Sequence, residues 1–208
     1  AVNVNMSDNS GIDNVTLFYT QGGSSQYTST TMSGSDDAYS GTIPGSAVTQ
    51  NGLIYYVTAQ DLLGYITTTD TVGVSVNFAS GTLTTNSATS SAYPTGLPID
   101  VWRLISTPAV LTETSTSQVL DELGTQDDAT WRLFRYDPVS ETYKSNPLEI
   151  NTTEAYWIYQ KVEDNLALAT TAGETGNMSK TDLTLTTGWN FIGSPYPFPI
   201  SLSLDQVQ

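Results

Sequence analysis

The sequence predicts an all-β protein in two modules, and three observations carry that expectation. Short runs alternate apolar and polar residues, turn-forming residues separate them at the spacing of a sandwich, and the first half holds no sustained 3.6-residue period. A polar stretch then divides the chain, and strand patterns resume beyond it around one short helical pattern.

In "AVNVNM" the side chains of Val2, Val4 and Met6 share one face, opposite Asn3 and Asn5. "NVTLFYT" sets Val15, Leu17 and Tyr19 together, and "GLIYYVTAQ" does the same for Leu53, Tyr55, Val57 and Ala59. "SQYTSTTM", "DAYSGTI" and "TVGVSVNF" complete the set of strands. Between them, Asp-Asn-Ser-Gly, Gly-Gly-Ser-Ser, Pro-Gly-Ser and Asp-Leu-Leu-Gly can supply Asx turns or positive φ.

At "SDNSGIDNVTLFY", "DAYSGTIPGSAVT" and "NGLIYYVTAQDLLG" the chain resembles the fibronectin type III-like, Ig-like modules of bacterial secreted and cell-surface proteins. The resemblance covers residues 1–78 and implies a β-sandwich that serves as a spacer or adhesive unit without catalysis. Such modules carry a further strand ahead of the one at "AVNVNM". An assembly edge is therefore expected at Val2, Asn3, Val4, Asn5 and Met6, to which another copy or a flanking domain adds a strand.

Residues 79–98 are dense in Ser, Thr, Gly and Pro and are expected to form a linker. The second module, 99–208, opens with a strand at "VWRLIST". "STSQVLDELG" predicts one short helix, capped by Ser115 or Thr116, with Val119, Leu120 and Leu123 inward and Gly124 ending it. "TWRLFRYDPVSETYKS" predicts a hairpin, "EAYWIYQKV" and "NLALATT" further strands, and "TDLTLTTGWNFIG" a second hairpin. This module resembles the Trp-Arg-Leu-Phe-Arg-Tyr-Asp-Pro and Gly-Trp-Asn-x-Ile-Gly-x-Pro domains of bacterial surface and secreted proteins. The resemblance implies location and fold more than activity. Residues 102–108 and 189–195 run alike from Trp to Pro, so Trp102 and Trp189 are expected to be buried on equivalent strands.

Composition excludes several functions. Ser and Thr supply 56 of 208 residues, and six cations face 21 acids for a net charge of -15. All six cations lie after residue 100, and the first hundred residues hold seven Asp and no Glu. Such a surface repels phosphate backbones and anionic lipid, which argues against nucleic acid as a partner. No apolar run reaches the ~20 residues of a membrane span. His and Cys are both absent, which removes the usual base for a nucleophile, the commonest zinc ligand and any disulfide. The adjacent acids Asp36-Asp37 and Asp127-Asp128 read as solvated turn residues rather than a glycosidase pair. No enzyme and no cofactor is predicted.

Two candidates for ligand binding remain. "DNSGID" places Asp8 and Asp13 about a Gly turn, as calcium loops do, although the same residues suit an Asx turn. The tyrosines at 19, 27, 39, 55, 56 and 65 could form a sugar-stacking platform, which makes polysaccharide the other partner to consider. The expected function is a non-enzymatic extracellular or cell-surface structural pair, a spacer, adhesin or assembly unit. The alternative is a carbohydrate-binding accessory region of a secreted polysaccharide-active enzyme.

Overall fold

The computed structural model describes residues 1–35, 37–85, 96–176, 178 and 183–200. The fold is all-β, with several antiparallel sheets and one short helix. The chain divides into two compact units, residues 1–76 with 177–180 and residues 77–176 with 181–208.

The first unit holds β1 (Val2–Asn5), β2 (Ile12–Gln21), β3 (Thr28–Thr31), β4 (Ser33–Ser35), β5 (Ala38–Gly41), β6 (Leu53–Asp61), β7 (Ile66–Thr68) and β8 (Val72–Val74). One sheet runs β1-β5-β4. The other runs β3-β2-β6-β7, with β8 also paired to β6. β2 and β6 pair with Val15 opposite Ala59, Leu17 opposite Val57 and Tyr19 opposite Tyr55, so the inward positions read from the sequence meet in register. They form a core with Leu53 and Met32, against which Val2, Val4, Met6 and Tyr39 pack from the other sheet. Met32 is the point where the chain leaves one sheet for the other, between β3 and β4. Its N–H still bonds Val15 O at 2.8 Å while its side chain is buried.

Two details depart from the pattern. β7 was not legible as a strand, because Ile66, Thr67 and Thr68 are all exposed. The run "TVGVSVNF" also splits. Val72–Val74 pair with β6, whereas β9 (Asn77–Phe78) joins the second unit.

That unit continues with β10 (Arg103–Ile105), β11 (Val110–Leu111), α1 (Thr116–Val119), β12 (Trp131–Asp137), β13 (Thr142–Ser145), β14 (Tyr156–Gln160) and β15 (Gly173–Glu174). One sheet has the order β10-β14-β12-β13, the other β11-β15-β9. Trp131, Leu133, Tyr156 and Ile158 lead a core that also takes in Val119, Leu120 and Leu123. The helix is shorter than expected. Leu120 breaks it at φ -121°, ψ 37°, a 3-10 turn over Asp121–Leu123 follows, and Gly124 closes it at φ 68°. Ser115 stands at the N-cap, but its hydroxyl bonds Gln118 Oε1 instead of a backbone N–H.

The described part of residues 79–98 is not a free linker. Leu83 and Leu97 are buried in the second core, and Leu97 bridges to Leu166. The two leucines, together with backbone bonds between Leu83 and Thr170 and between Leu97 and Leu166, hold this stretch on the second unit; residues 86–95 lie outside the described residues. "NLALATT" forms only isolated bridges at Leu166 and Ala169. The expected second hairpin is likewise reduced, in its described part, to one bridge between Ile192 and Glu154.

Candidate functional site

Asp8 makes the Asx turn. Asp8 Oδ1 accepts from Ser10 N at 2.7 Å and from the Ser10 hydroxyl, and that hydroxyl also faces Asp61 Oδ2 at 3.2 Å. The Ser10 hydroxyl, followed by the Ser10 N–H, lowers the Asp8 carboxyl below its ordinary range. Asp13 is exposed on β2. Among the described residues no group of three or more acids is placed to hold a metal ion. The Asp-Asn-Ser-Gly turn instead ties its loop to the β6–β7 hairpin.

That hairpin presents an unusual tip. Asp61 Oδ1 accepts from Leu63 N at 2.9 Å and Tyr65 N at 2.8 Å, and Leu62 N–H bonds Gly11 O. Gly64, at φ 89°, makes the turn. The result is a fixed loop with Leu62, Leu63, Tyr65 and Ile66 all in solvent, Leu63 at 72%.

β1 is the terminal strand of its sheet. It pairs with β5, Val4 opposite Tyr39, and Met6 N–H bonds Asp37 O at 2.8 Å. Antiparallel alternation then points the N–H and C=O of Asn3 and Asn5 away from β5. Among the described residues no strand lies on that side. Val2, Val4 and Met6 are only partly buried, so the core is thinly covered along this edge.

The tyrosines of the first unit do not form one platform. Tyr19 is core, and Tyr39 and Tyr55 pack against it. Tyr56 stacks on Phe18 at 4.9 Å with Tyr27 edge-on, while Tyr65 sits at the hairpin tip.

The aromatic surface lies in the second unit. Trp102 and Trp189 are exposed, at 43% and 77%, so the expectation that both are core is overturned. Trp102 follows the outward parity of β10 and packs on Phe134 and Tyr159. Trp189 sits beside a turn held by Asn190, whose amide accepts from Thr186 N and donates to Thr186 O and Gly188 O. The two Trp-to-Pro stretches nevertheless touch at equivalent positions. A Cβ on Gly193, four residues after Trp189, would lie 2.4 Å from Cβ of Ser106, four residues after Trp102.

Beyond Trp102, the outward residues of β12 and β14 are Arg132, Phe134, Tyr136, Trp157 and Tyr159. Phe191 packs on Tyr136, Trp157 and Tyr143, at 5.3, 6.3 and 6.4 Å between ring centroids. These residues were missed as a surface. The signal was the absence of alternation in "WRLFRY" and "AYWIYQ", where apolar residues occupy both parities.

At the inward end of that sheet Tyr156 donates to Glu154 Oε2 at 2.6 Å and accepts from Asn151 N at 2.8 Å, and Arg135 bonds Glu154 Oε1 at 3.1 Å. Burial, then the bond to Glu154, raises the Tyr156 phenol above its ordinary value, so it stays a neutral donor. The acids at 127 and 128 are turn residues: Asp127 Oδ1 caps Ala129 N, and Asp128 O takes Arg132 Nε. Asp36 lies outside the described residues. A cleft of about 810 Å³ beside β10 is lined by Leu83, Leu97, Trp102, Leu104, Ile150 and Trp157 among others, with no carboxylate in its described lining.

In comparisons with known proteins, no family model, curated protein or solved structure matches the chain. Among the described residues no helix is long and apolar enough to cross a membrane.

Proposed function

We propose that the chain is a non-enzymatic structural module pair of an extracellular or bacterial cell-surface protein, a spacer or adhesive unit that assembles by strand addition at β1. The open edge of β1 supports this reading. Isolated proteins blunt such edges with Lys, Pro or a bulge, and Val2–Asn5 has none of these. An added strand would satisfy the outward groups of Asn3 and Asn5 and cover Val2 and Val4, so hydrogen bonding and burial favour the same partner. The donor is another copy or a flanking segment of the same protein. An acidic, Ser- and Thr-rich surface suits an extracellular home.

Light scattering and electron microscopy of the native chain test this. Assemblies that grow with concentration are expected. Asn3→Pro, which removes an outward N–H and no bond to β5, should reduce them to single chains without loss of folding. A wild-type chain that stays single, or assemblies that survive Asn3→Pro, would remove the proposal.

A further inference from the structure

We infer that the outer face of the β10-β14-β12-β13 sheet binds a single chain of a neutral polysaccharide. The site belongs to the second unit and is independent of pairing at β1. This sheet is apolar on both sides. Its inner face is covered by the core around Trp131, Leu133 and Ile158, while the outer face is covered only in part, by Phe191, and leaves Trp102, Leu104 and Tyr143 exposed. An antiparallel sheet ordinarily turns a polar face to water, so exposed rings on this one mark a binding surface.

Chemistry selects which one. The rings lie in rows along β14: Tyr159 with Trp102, then Trp157 with Phe134 and Leu104, then Phe191 with Tyr136 and Tyr143. Outward positions along a strand recur about every 6.7 Å, so the rows span roughly 13 Å, room for a short run of sugar rings. Most of these side chains combine a π face with a hydroxyl or an indole N–H, the pairing that suits pyranose C–H faces and their hydroxyls. At one end Tyr159 donates to Asp100 at 2.6 Å, with Lys161 3.8 Å from the same carboxylate. These groups offer donors and acceptors to an uncharged polyol. The net charge of -15 repels anionic polymers.

The rings are not coplanar. Trp102 and Tyr159 are inclined at 39°, Trp157 and Phe191 at 80°. The second angle is edge-to-face packing by Phe191, which lies outside the sheet, while sheet twist turns neighbouring strands by about 20–25°. A soluble chain that can follow the twist fits this face, and a flat crystalline surface does not.

Affinity electrophoresis of the whole chain, in gels containing a soluble β-glucan, a galactomannan or a xylan, tests the inference. At least one should retard the chain, while polygalacturonate and insoluble cellulose should not bind it. Trp102→Ala should weaken retention about tenfold or more and Tyr143→Ala severalfold, both with a wild-type far-UV spectrum. Asn3→Pro, in the other unit, should leave retention unchanged, which separates this site from the assembly edge. No retention by any of the three polymers, retention undiminished in both ring variants, or equal binding to crystalline cellulose would overturn it. So would a native dimer that Trp102→Ala dissociates, since a second copy would then be what covers the face.

Discussion

β2 and β12 are both interior strands of antiparallel sheets, and their inner faces are built alike. Val15, Leu17 and Tyr19 on one, Trp131 and Leu133 on the other, are buried in their cores. The outer faces differ. β2 turns Asn14, Thr16 and Phe18 outward, and β12 turns Arg132, Phe134 and Tyr136. The inner face decides which fold forms. The outer face decides whether the sheet ends in water or waits for a further layer.

The largest effects should therefore come from the inner faces and be equal on both strands. Leu17 and Leu133 are fully buried, and Leu→Ala at either should cost ~2–5 kcal/mol through lost burial and a residual cavity. All four tryptophans lie in the second unit. Leu133→Ala should move the fluorescence-detected unfolding transition, and Leu17→Ala the far-UV transition of the first unit. A negligible cost at one of the two would break the symmetry between the strands.

Next comes the network at the end of β14. Tyr156→Phe leaves the Asn151 N–H and the Glu154 carboxylate without their phenol partner and should cost ~1–3 kcal/mol by chemical denaturation.

A smaller effect is expected from pH. Burial, opposed by the Ala169 N–H and reinforced by Asp121, raises the Glu122 carboxyl above its ordinary value of 4.5. The folded chain then holds a proton that the unfolded chain has released. Stability falls as pH climbs from the unfolded value through the folded one, and the penalty is complete above it. Glu122→Gln should flatten that slope in urea midpoints taken from about pH 4 to 7. Asp137 has the opposite sign: the Ser140 hydroxyl, then the Val139 N–H, lowers its carboxyl, so its contribution is present above the unfolded value and lost on acidification through the folded one.

The smallest effect belongs to the hairpin tip. Leu63→Ser should change stability by no more than ~0.5 kcal/mol, because the side chain is already in water. A larger loss would mean that the tip packs on something in solution.

What was legible in the sequence follows the same division. Alternation revealed β1, β2 and β6 because one side of each is polar or lightly apolar. The Asp-Pro turn, not alternation, revealed the hairpin of β12 and β13, and Asp137 caps Val139 N there. The apolar pattern placed the helix but not its break, since nothing local to Leu120 marks a change of φ and ψ. Period 2 could not assign the indoles of Trp102 and Trp189. A strand apolar on both faces gives no sign of which face is inside, and burial statistics for Trp point to the core. Asp8 makes the Asx turn that its motif offers, but Asp61, which the Ser10 hydroxyl also faces, lies 53 residues from Asp8 in the chain. Only the pairing of β2 with β6 brings the two near each other.

The contact between Ser106 and Gly193 makes two distant positions share one allowance of volume. Gly193 cannot take a Cβ even if Ser106 shrinks, because Glu154 O stands 2.6 Å from the same point and closes the third side. Gly193→Ser alone would force the 102–108 and 189–195 stretches apart, and Ser106→Gly alone would leave a small gap. Exchanging the two residues would relieve only the Ser106 side, since the Glu154 carbonyl would still press on a Cβ at 193. Position 193 should therefore accept glycine alone, whatever stands 87 residues before it.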